Sequence, residues 1–161
     1  MEVLEVPDFQ LERFLPYRFN VLADLLSRSL AAIYQERFGI SVPEWRILAT
    51  LGREAPLSAG EVGARTRMEK ARVSRALTRL VENGLVNRQA DPRDNRVAVL
   101  RLSRRGQSLY RRIVPLAKAW ERELLAGLPA ETLQALDQAL DLLQTRLLLL
   151  RAGEEPDNAA D

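Results

Sequence analysis

Apolar residues recur every three or four positions along most of the chain, and this spacing predicts six helices. Ser41 to Glu44 and Ser58 to Glu61 have the Ser-x-x-Glu spacing of a capping box, which opens the second and third helices. Gly39 and Gly84 follow the first and fourth helices as closing residues. The predicted helices span Pro16 to Phe38, Ser41 to about Gly52, Ala59 to Arg65, Glu69 to Asn83, Ser103 to Leu128 and Pro129 to Arg151.

Two β-prone runs, Leu85 to Gln89 and Arg96 to Leu102, follow the fourth helix and predict a hairpin. The connection between them contains Asp-Pro and Asp-Asn, which both favour turns. Pro115 is expected to kink the fifth helix, because proline removes a backbone donor. The order of the elements predicts a mainly α fold with a small β-hairpin wing, and its middle part is a winged helix-turn-helix.

Basic charge is concentrated between Arg65 and Arg105. This stretch contains 12 Lys/Arg and 4 Asp/Glu, a local charge of +8. The whole chain has 24 and 22, which gives +2, so the remainder of the chain sums to −6. Positive charge gathered on one helix and a neighbouring hairpin is typical of a protein that binds a polyanion.

The composition excludes most enzyme chemistry. The 161 residues contain no cysteine and no histidine, so thiol nucleophiles, Ser-His-Asp triads and the thiolate or imidazole ligands of zinc are absent. The 8 glycines are scattered and form no phosphate-binding loop. No apolar run approaches the ~20 residues that span a bilayer, and the N-terminal sequence is acidic. We therefore expect a cytoplasmic protein that is not an enzyme, has no membrane segment and uses no metal or cofactor.

The fourth predicted helix has one basic and one apolar face. On a helical wheel at ~100° per residue, Arg75 lies at the centre of the polar face, and Val73, Leu77 and Leu80 lie opposite. Guanidinium groups, hydroxyls and small residues suit a DNA major groove, where arginine binds guanine through two hydrogen bonds. The predicted DNA contacts in this region are Ser58, Lys70, Arg72, Ser74, Arg75, Thr78 and Arg79. The alternative is a solvated basic helix face.

The tip of the predicted hairpin reads Asp91-Pro92-Arg93-Asp94-Asn95-Arg96. Arginines on an exposed loop can enter the DNA minor groove, where the negative potential attracts them. Arg93, Asn95 and Arg96 are the predicted contacts, and Asp91 and Asp94 are interpreted as partners that orient the arginines. An ordinary turn of mixed charge is the alternative.

Several of these segments resemble the MarR family of bacterial transcription regulators. The matching sequences are Lys70-Ala71-Arg72-Val73-Ser74-Arg75-Ala76-Leu77, Leu80-Val81-Glu82-Asn83-Gly84-Leu85-Val86, Pro43-Glu44-Trp45-Arg46-Ile47-Leu48 and the hairpin tip, which is similar to the family's wing signature. The resemblance covers about Leu15 to Leu150. It implies a homodimer whose first, fifth and sixth helices form the dimer layer, so that two winged motifs bind a pseudo-palindromic double-stranded operator.

The resemblance also implies the domain organisation. An N-terminal arm is expected at 1–15, the first helix of the dimerisation layer at 16–38, the winged helix-turn-helix DNA-binding lobe at 40–102, the helical dimerisation region at 103–151 and a flexible acidic tail at 152–161. The leucine-rich sixth helix agrees with a buried dimer interface. Packing of this helix within one subunit is equally compatible with its pattern.

A small-molecule effector is a further implication of the resemblance. Leu15 to Leu22 looks like the first helix of members that control catabolism of aromatic acids, some of which respond to acyl-CoA thioesters. Arg18 matches an early arginine that pairs with the ligand carboxylate in some relatives, and Tyr17 and Trp45 are candidate aromatic walls. Alternatively, Tyr17 and Trp45 are core residues and Arg18 pairs with an acidic residue.

The predicted function is therefore a ligand-responsive transcriptional repressor. It binds DNA as a homodimer and is released by a small aromatic acid or its acyl-CoA thioester. The alternative is a winged-helix DNA-binding protein with a constitutive or architectural role and no effector.

Overall fold

The computed structural model describes residues 9–90 and 98–152. A 3-10 helix, Leu11–Arg13, precedes α1 Leu15–Phe38, α2 Val42–Glu54, β1 Leu57–Ser58, α3 Ala59–Thr66, α4 Lys70–Glu82, β2 Val86–Ala90, β3 Ala98–Leu102, α5 Arg104–Leu124 and α6 Ala130–Ala152. The mainly α fold with a small β wing is confirmed.

The chain divides into two compact units, Met1–Ala119 and Trp120–Asp161. The predicted boundaries between arm, DNA-binding lobe, dimerisation region and tail stay predictions. Residues 1–8 of the arm and 153–161 of the tail lie outside the described residues.

Local capping sets the starts of α2 and α3. The Glu44 carboxylate accepts a hydrogen bond of 2.7 Å from the Ser41 backbone N–H, and the Ser41 hydroxyl oxygen accepts one of 3.4 Å from the Glu44 N–H. Ser58 and Glu61 repeat this arrangement at 2.7 and 3.2 Å. Both predicted capping boxes are confirmed, since each satisfies backbone donors that a helix N-terminus would leave unpaired.

The predicted end of the second helix near Gly52 is wrong. α2 continues to Glu54, so Gly52 lies inside it, and the ring of Tyr110 packs against the Gly52 backbone. A Cβ at Gly52 would lie 2.8 to 3.0 Å from atoms of that ring. The glycine is therefore a packing residue, whereas Gly39, at a φ of 64°, does end α1 in the left-handed conformation as predicted.

The sheet has three antiparallel strands in the order β1-β3-β2, so the predicted two-stranded hairpin was incomplete. β1 pairs with β3, with Leu57 opposite Leu100. β2 pairs with β3 from Val86 opposite Leu102 to Ala90 opposite Ala98. A strand of two residues has no alternating pattern to reveal it. The predicted start of the last strand at Arg96 lies outside the described residues.

The core of the first unit lies where α2 packs on α3, α4 and the sheet. It extends to Tyr34 of α1 and Ile113 of α5, which are 2% and 0% exposed. The buried hydrophobic residues are Tyr34, Ile40, Ile47, Leu48, Leu51, Leu57, Val62, Met68, Val73, Ala76, Leu77, Leu80, Leu85, Val86, Leu100, Leu102 and Ile113. Each buried leucine or isoleucine contributes about 1.5–3 kcal/mol by leaving water, so this cluster holds α4 in place.

The start of α5 is fastened to the turn that follows α4. The Ser103 hydroxyl donates to the Gly84 carbonyl at 2.6 Å and accepts from the Gly106 N–H at 2.9 Å. The Ser103 N–H donates to the Leu85 carbonyl at 3.0 Å. Gly106 is buried against Leu85, which leaves no space there for a side chain.

The fifth and sixth helices differ from their predicted bounds by a few residues. α5 continues through Pro115 and ends at Leu124 rather than Leu128, because Gly127 follows with a φ of 84°. A kink at Pro115 stays a prediction. α6 begins at Ala130, one residue later than predicted. In the described parts of the chain, no helix combines the length and apolar character needed to cross a bilayer.

Leucines on α6 of the second unit are solvent-exposed. The exposed fractions run from 37% for Leu143 to 71% for Leu142. The large exposed residues on this helix are Leu136, Leu140, Leu142, Leu143, Leu147, Leu148, Leu149 and Leu150. Eight exposed leucines on one helix are more than single scattered apolar residues, which are normal on a protein surface.

Candidate nucleic-acid interface

The exposed face of α4 is the main basic surface of the first unit. Val73, Ala76, Leu77 and Leu80 are buried, and the intervening polar residues point to solvent. The exposed polar residues are Lys70, Arg72, Ser74, Arg75, Thr78 and Arg79. The predicted division of the helix into two faces is therefore confirmed, and the contacts of these residues with DNA stay a prediction.

The N-terminus of α4 presents backbone donors. Glu69 is the N-cap residue, and its side chain makes no capping hydrogen bond. The N–H groups of the first turn and the positive end of the helix dipole are therefore available to an anion such as a DNA phosphate. The exposed ammonium of Lys70 adds to this field, whereas the exposed carboxylate of Glu69 opposes it.

Arg79 has a carboxylate partner on α2. Its Nε lies 3.4 Å from Oε1 of Glu44, whose side chain is 3% exposed while that of Arg79 is 67% exposed. The same carboxylate caps α2 through Ser41. A pair with one exposed partner contributes little to stability, but it orients the guanidinium on the exposed face of α4. Among the described residues, Arg75 has no such partner.

Two of the three hydroxyls predicted to contact DNA, those of Thr78 and Ser58, already make internal hydrogen bonds. The Thr78 hydroxyl donates to the Ser74 carbonyl at 3.0 Å. The backbone N–H of Ser58 and then its hydroxyl donate to the Glu61 carboxylate and lower the pKa of that carboxyl, with a smaller contribution from the charge of Arg65. This capping contribution is present above the ordinary pKa of a glutamate and is lost as the pH falls through the lowered value. Each hydroxyl oxygen keeps acceptor capacity for a further donor.

A groove of about 790 Å³ lies between α3, α4 and the sheet. Its apolar walls include Met68 and Leu77, and Arg67, Lys70 and Arg88 bring cationic groups to it. Arg67 and Arg88 are exposed basic residues that the predicted DNA site omitted. On β2, the four residues that follow buried Val86 are all exposed, and Arg88 is one of them. Arg93, Asn95 and Arg96 of the hairpin tip lie outside the described residues.

Comparison with known proteins identifies the kind of protein that carries this surface. The family model of the MarR family matches residues 38–96, which span α2, α3, α4 and β2. A solved MarR/EmrR family transcriptional regulator from Acinetobacter sp. ADP1 superposes with a TM-score of 0.80 at 26% identity. The superposition covers 86% of this chain and 98% of that one.

Residues 38–96 therefore form a winged-helix region similar to that of the MarR family of transcription regulators. Two curated relatives of this chain have opposite regulatory signs. The transcriptional repressor IacR of Pseudomonas putida is 23% identical to this chain. The match covers 67% of this chain and 65% of IacR. The exopolysaccharide II synthesis transcriptional activator ExpG of Rhizobium meliloti is 31% identical to this chain. The match covers 74% of this chain and 60% of ExpG.

The three predicted effector residues lie in two places. Tyr17 and Arg18 are exposed near the start of α1. Trp45 packs against Tyr34, near the other end of α1, with ring centroids 5.2 Å apart and tilted by 31°. Because an α-helix rises 1.5 Å per residue, Arg18 and Tyr34 are about 24 Å apart along the helix axis. One small ligand therefore cannot touch Arg18 and Trp45 of the same chain.

Trp45 belongs to an aromatic cluster in the first unit. Its ring also stacks on Tyr110 of α5 at 6.0 Å and an interplanar angle of 24°. Burial raises the pKa of the Tyr34 hydroxyl, and a side-chain hydrogen bond with Trp45 lowers it in part. A neutral Tyr34 stabilises this packing below its ordinary pKa of 10.0, and the contribution is lost as the pH rises above it. The cluster joins α1, α2 and α5 next to the capping residue Glu44.

Proposed function

We propose that the chain is a ligand-responsive transcriptional repressor that binds pseudo-palindromic double-stranded DNA as a homodimer. A small aromatic acid or its acyl-CoA thioester releases it. The observation that carries the proposal is the exposed row of guanidinium groups on α4, which is held on a buried apolar core and has an uncapped N-terminus. This arrangement provides both base-reading side chains and phosphate-binding donors.

The exposed apolar residues support a homodimer. The leucines of α6 and residues on the first half of α1, such as Leu22 and Leu25 at 51% and 59% exposed, offer apolar surface for a second copy to cover. Stable dimer interfaces bury such surface, and a twofold axis brings two recognition helices to the spacing of successive major grooves. The stoichiometry of the protein without DNA, measured by sedimentation, tests this part of the proposal.

The groove beside α4 supports an aromatic-acid effector. It combines apolar walls with the cationic groups of Arg67, Lys70 and Arg88, although the carboxylate of Glu82 also lines it. An aromatic acid there would lie against the helix that reads DNA and would compete with DNA for the same cations. The predicted site at Tyr17, Arg18 and Trp45 requires a second chain to bring the arginine near the indole.

Arg75→Ala is expected to reduce discrimination between operator and non-operator DNA by about 1 to 3 kcal/mol at one base pair per half-site. The reason is that Arg75 lies at the centre of the exposed face and has no carboxylate partner among the described residues. Arg111→Ala on α5 removes the same charge from an exposed position away from α4 and is the matched control. Operator variants that differ by single base pairs provide the measurement. Uniform weakening on all sequences would mean that Arg75 contacts phosphate instead.

Arg18→Ala is expected to preserve operator affinity and to require at least about tenfold more inducer, a loss of roughly 1.4 kcal/mol or more. An inducer acts only through a difference in its affinity for the two states of the repressor. Thermal shifts with aromatic acids and their CoA thioesters first identify the ligand, since specific binding stabilises the native state. Titration of the operator complex then compares the two proteins. Unchanged sensitivity in Arg18→Ala, with reduced sensitivity in Arg88→Gln, would assign the effector to the groove.

The alternative function is a winged-helix DNA-binding protein without an effector. One observation favours it: Trp45 contacts the rings of both Tyr34 and Tyr110 and packs against the hydrophobic core. Under this alternative, no aromatic acid or CoA thioester would shift the melting temperature or release the operator. A reporter gene placed behind the operator distinguishes repression from activation, the two signs found in IacR and ExpG.

A further inference from the structure

A second pocket, of about 400 Å³, lies where the end of α1, the turn after α4 and the first turns of α5 meet. Asn83 and Leu85 bring the end of α4 to this pocket. Because α4 has 13 residues, its N-terminus at Lys70 lies about 20 Å away along the helix axis. The pocket is therefore distant from the N-terminal end of α4, and it shares no lining residue with the groove, although Glu82 of the groove directly precedes Asn83.

The pocket concentrates positive charge. Arg37, Arg105 and Arg112 line it, and none of its lining residues is acidic. The ion pairs formed within the described residues involve other arginines. The guanidinium of Arg112 lies 5.2 Å from the centre of the Phe38 ring, which orients the group without using its N–H donors. Each arginine has five such donors, so the pocket has many donors and few acceptors.

The helix ends beside the pocket do not consume these donors. Arginines often lie near helix C-termini because they complement the negative end of the dipole. At the end of α1, the Gln35 and Tyr34 carbonyls accept from the backbone N–H groups of Gly39 and Ile40 at 3.0 and 3.1 Å. After α4, the Leu80 carbonyl accepts from the Leu85 N–H at 2.8 Å. Both helices thus close through their own backbone, and the guanidinium donors remain available to a ligand.

We propose that this pocket binds a small molecule that carries a phosphate monoester next to a short apolar group. A phosphate monoester has a charge of about −1.5 to −2 at pH 7 and three acceptor oxygens, which match several guanidinium donors. Ser108 and Asn83 add polar groups, and Phe38 and Leu109 provide apolar walls. The volume falls within the range of about 300–1,000 Å³ that is usual for small-molecule sites. A single carboxylate would leave most of the donors unpaired.

Calorimetric titration of the full chain with phenyl phosphate, without DNA and in Tris chloride buffer, tests the proposal. Phenyl phosphate is expected to bind saturably, with one site per chain, and at least about tenfold more tightly than benzoate. Arg105→Gln and Arg112→Gln should each weaken binding by at least about tenfold, since each removes one charge-assisted contact. Arg111→Gln, a neighbour that does not line the pocket, is the matched control and should bind as the unmodified chain does.

Several results would overturn the proposal. They are the absence of saturable binding, equal binding of benzoate, or an equal loss in Arg111→Gln. If phenyl phosphate does not bind and Arg105→Gln weakens the operator complex, the arginines contact DNA phosphates and the pocket is not a metabolite site. Arg105→Gln leaves the contact between Arg112 and Phe38 intact, so it remains informative if Arg112→Gln unfolds. Because the titration contains no DNA, its failure is independent of the proposed repressor function.

Discussion

Operator affinity is expected to fall by about 10³ to 10⁵ between 50 and 200 mM salt if each dimer neutralises roughly 6 to 10 phosphates. The physical reason is counterion release, which is driven by the +8 charge of the stretch from Arg65 to Arg105 in each chain. The −6 charge of the remaining residues leaves little non-specific attraction elsewhere on the molecule. Fluorescence anisotropy of a labelled operator duplex at a series of salt concentrations measures the slope.

One test variant and one control variant show which residues cause this salt dependence. Lys70→Ala removes a charge at the uncapped N-terminus of α4 and should reduce the logarithmic slope by about 0.9 for each lost phosphate contact. Arg111→Ala removes the same charge from α5 and should leave the slope unchanged. A salt dependence that is flat in the unmodified protein would exclude phosphate neutralisation by α4 and the wing.

Gly106→Ala is expected to destabilise the folded protein by about 3 kcal/mol, which would lower the melting temperature by roughly 6 to 12 °C. A Cβ at this position would overlap the backbone carbonyl oxygen of Leu85, which cannot move away as a flexible side chain would. The same carbonyl accepts the hydrogen bond of the Ser103 N–H. The substitution would therefore separate the start of α5 from the turn that follows α4. Chemical denaturation at fixed protein concentration measures the loss.

Gly60→Ala is the matched control for this substitution. A Cβ at Gly60 would meet only the Ser58 hydroxyl oxygen, at 4.0 Å, and alanine is the better helix former. Its stability should equal or slightly exceed that of the unmodified chain. Equal stability of Gly106→Ala and Gly60→Ala would contradict the close contact between Gly106 and the Leu85 carbonyl oxygen.

Features that depend on neighbouring residues were predictable from the sequence. The capping boxes at Ser41 and Ser58 act within four residues, so their spacing alone identified two helix starts. The burial of Val73, Leu77 and Leu80 opposite Arg75 follows from helical periodicity, because the α4 pattern has one apolar stripe. These local rules are sufficient to locate the candidate DNA-binding face without any tertiary contact.

Features that depend on tertiary contacts were not predictable. The pairing of Arg79 with Glu44 joins residues that lie far apart in sequence, and nothing in their spacing indicates it. In the sequence, Gly52 resembles a helix end. In the structure, it lies inside α2 beside the ring of Tyr110, a residue that is distant in sequence. The pocket of Arg37, Arg105 and Arg112 likewise assembles residues from two distant helices. The predicted effector site at Tyr17, Arg18 and Trp45 stays a prediction, because Arg18 and Tyr34, the neighbour of Trp45, lie about 24 Å apart along α1 and the sequence gives no contact between two chains.

Selection of bound duplexes from a random DNA pool tests the central claim most directly. The account predicts enrichment of an inverted repeat whose half-sites are centred about 10 base pairs apart, bound by two chains per duplex. That result would require two α4 helices in successive major grooves on one face of the DNA. Recovery of no common sequence, or of a single half-site bound by one chain, would contradict a dimeric reader of pseudo-palindromic operators.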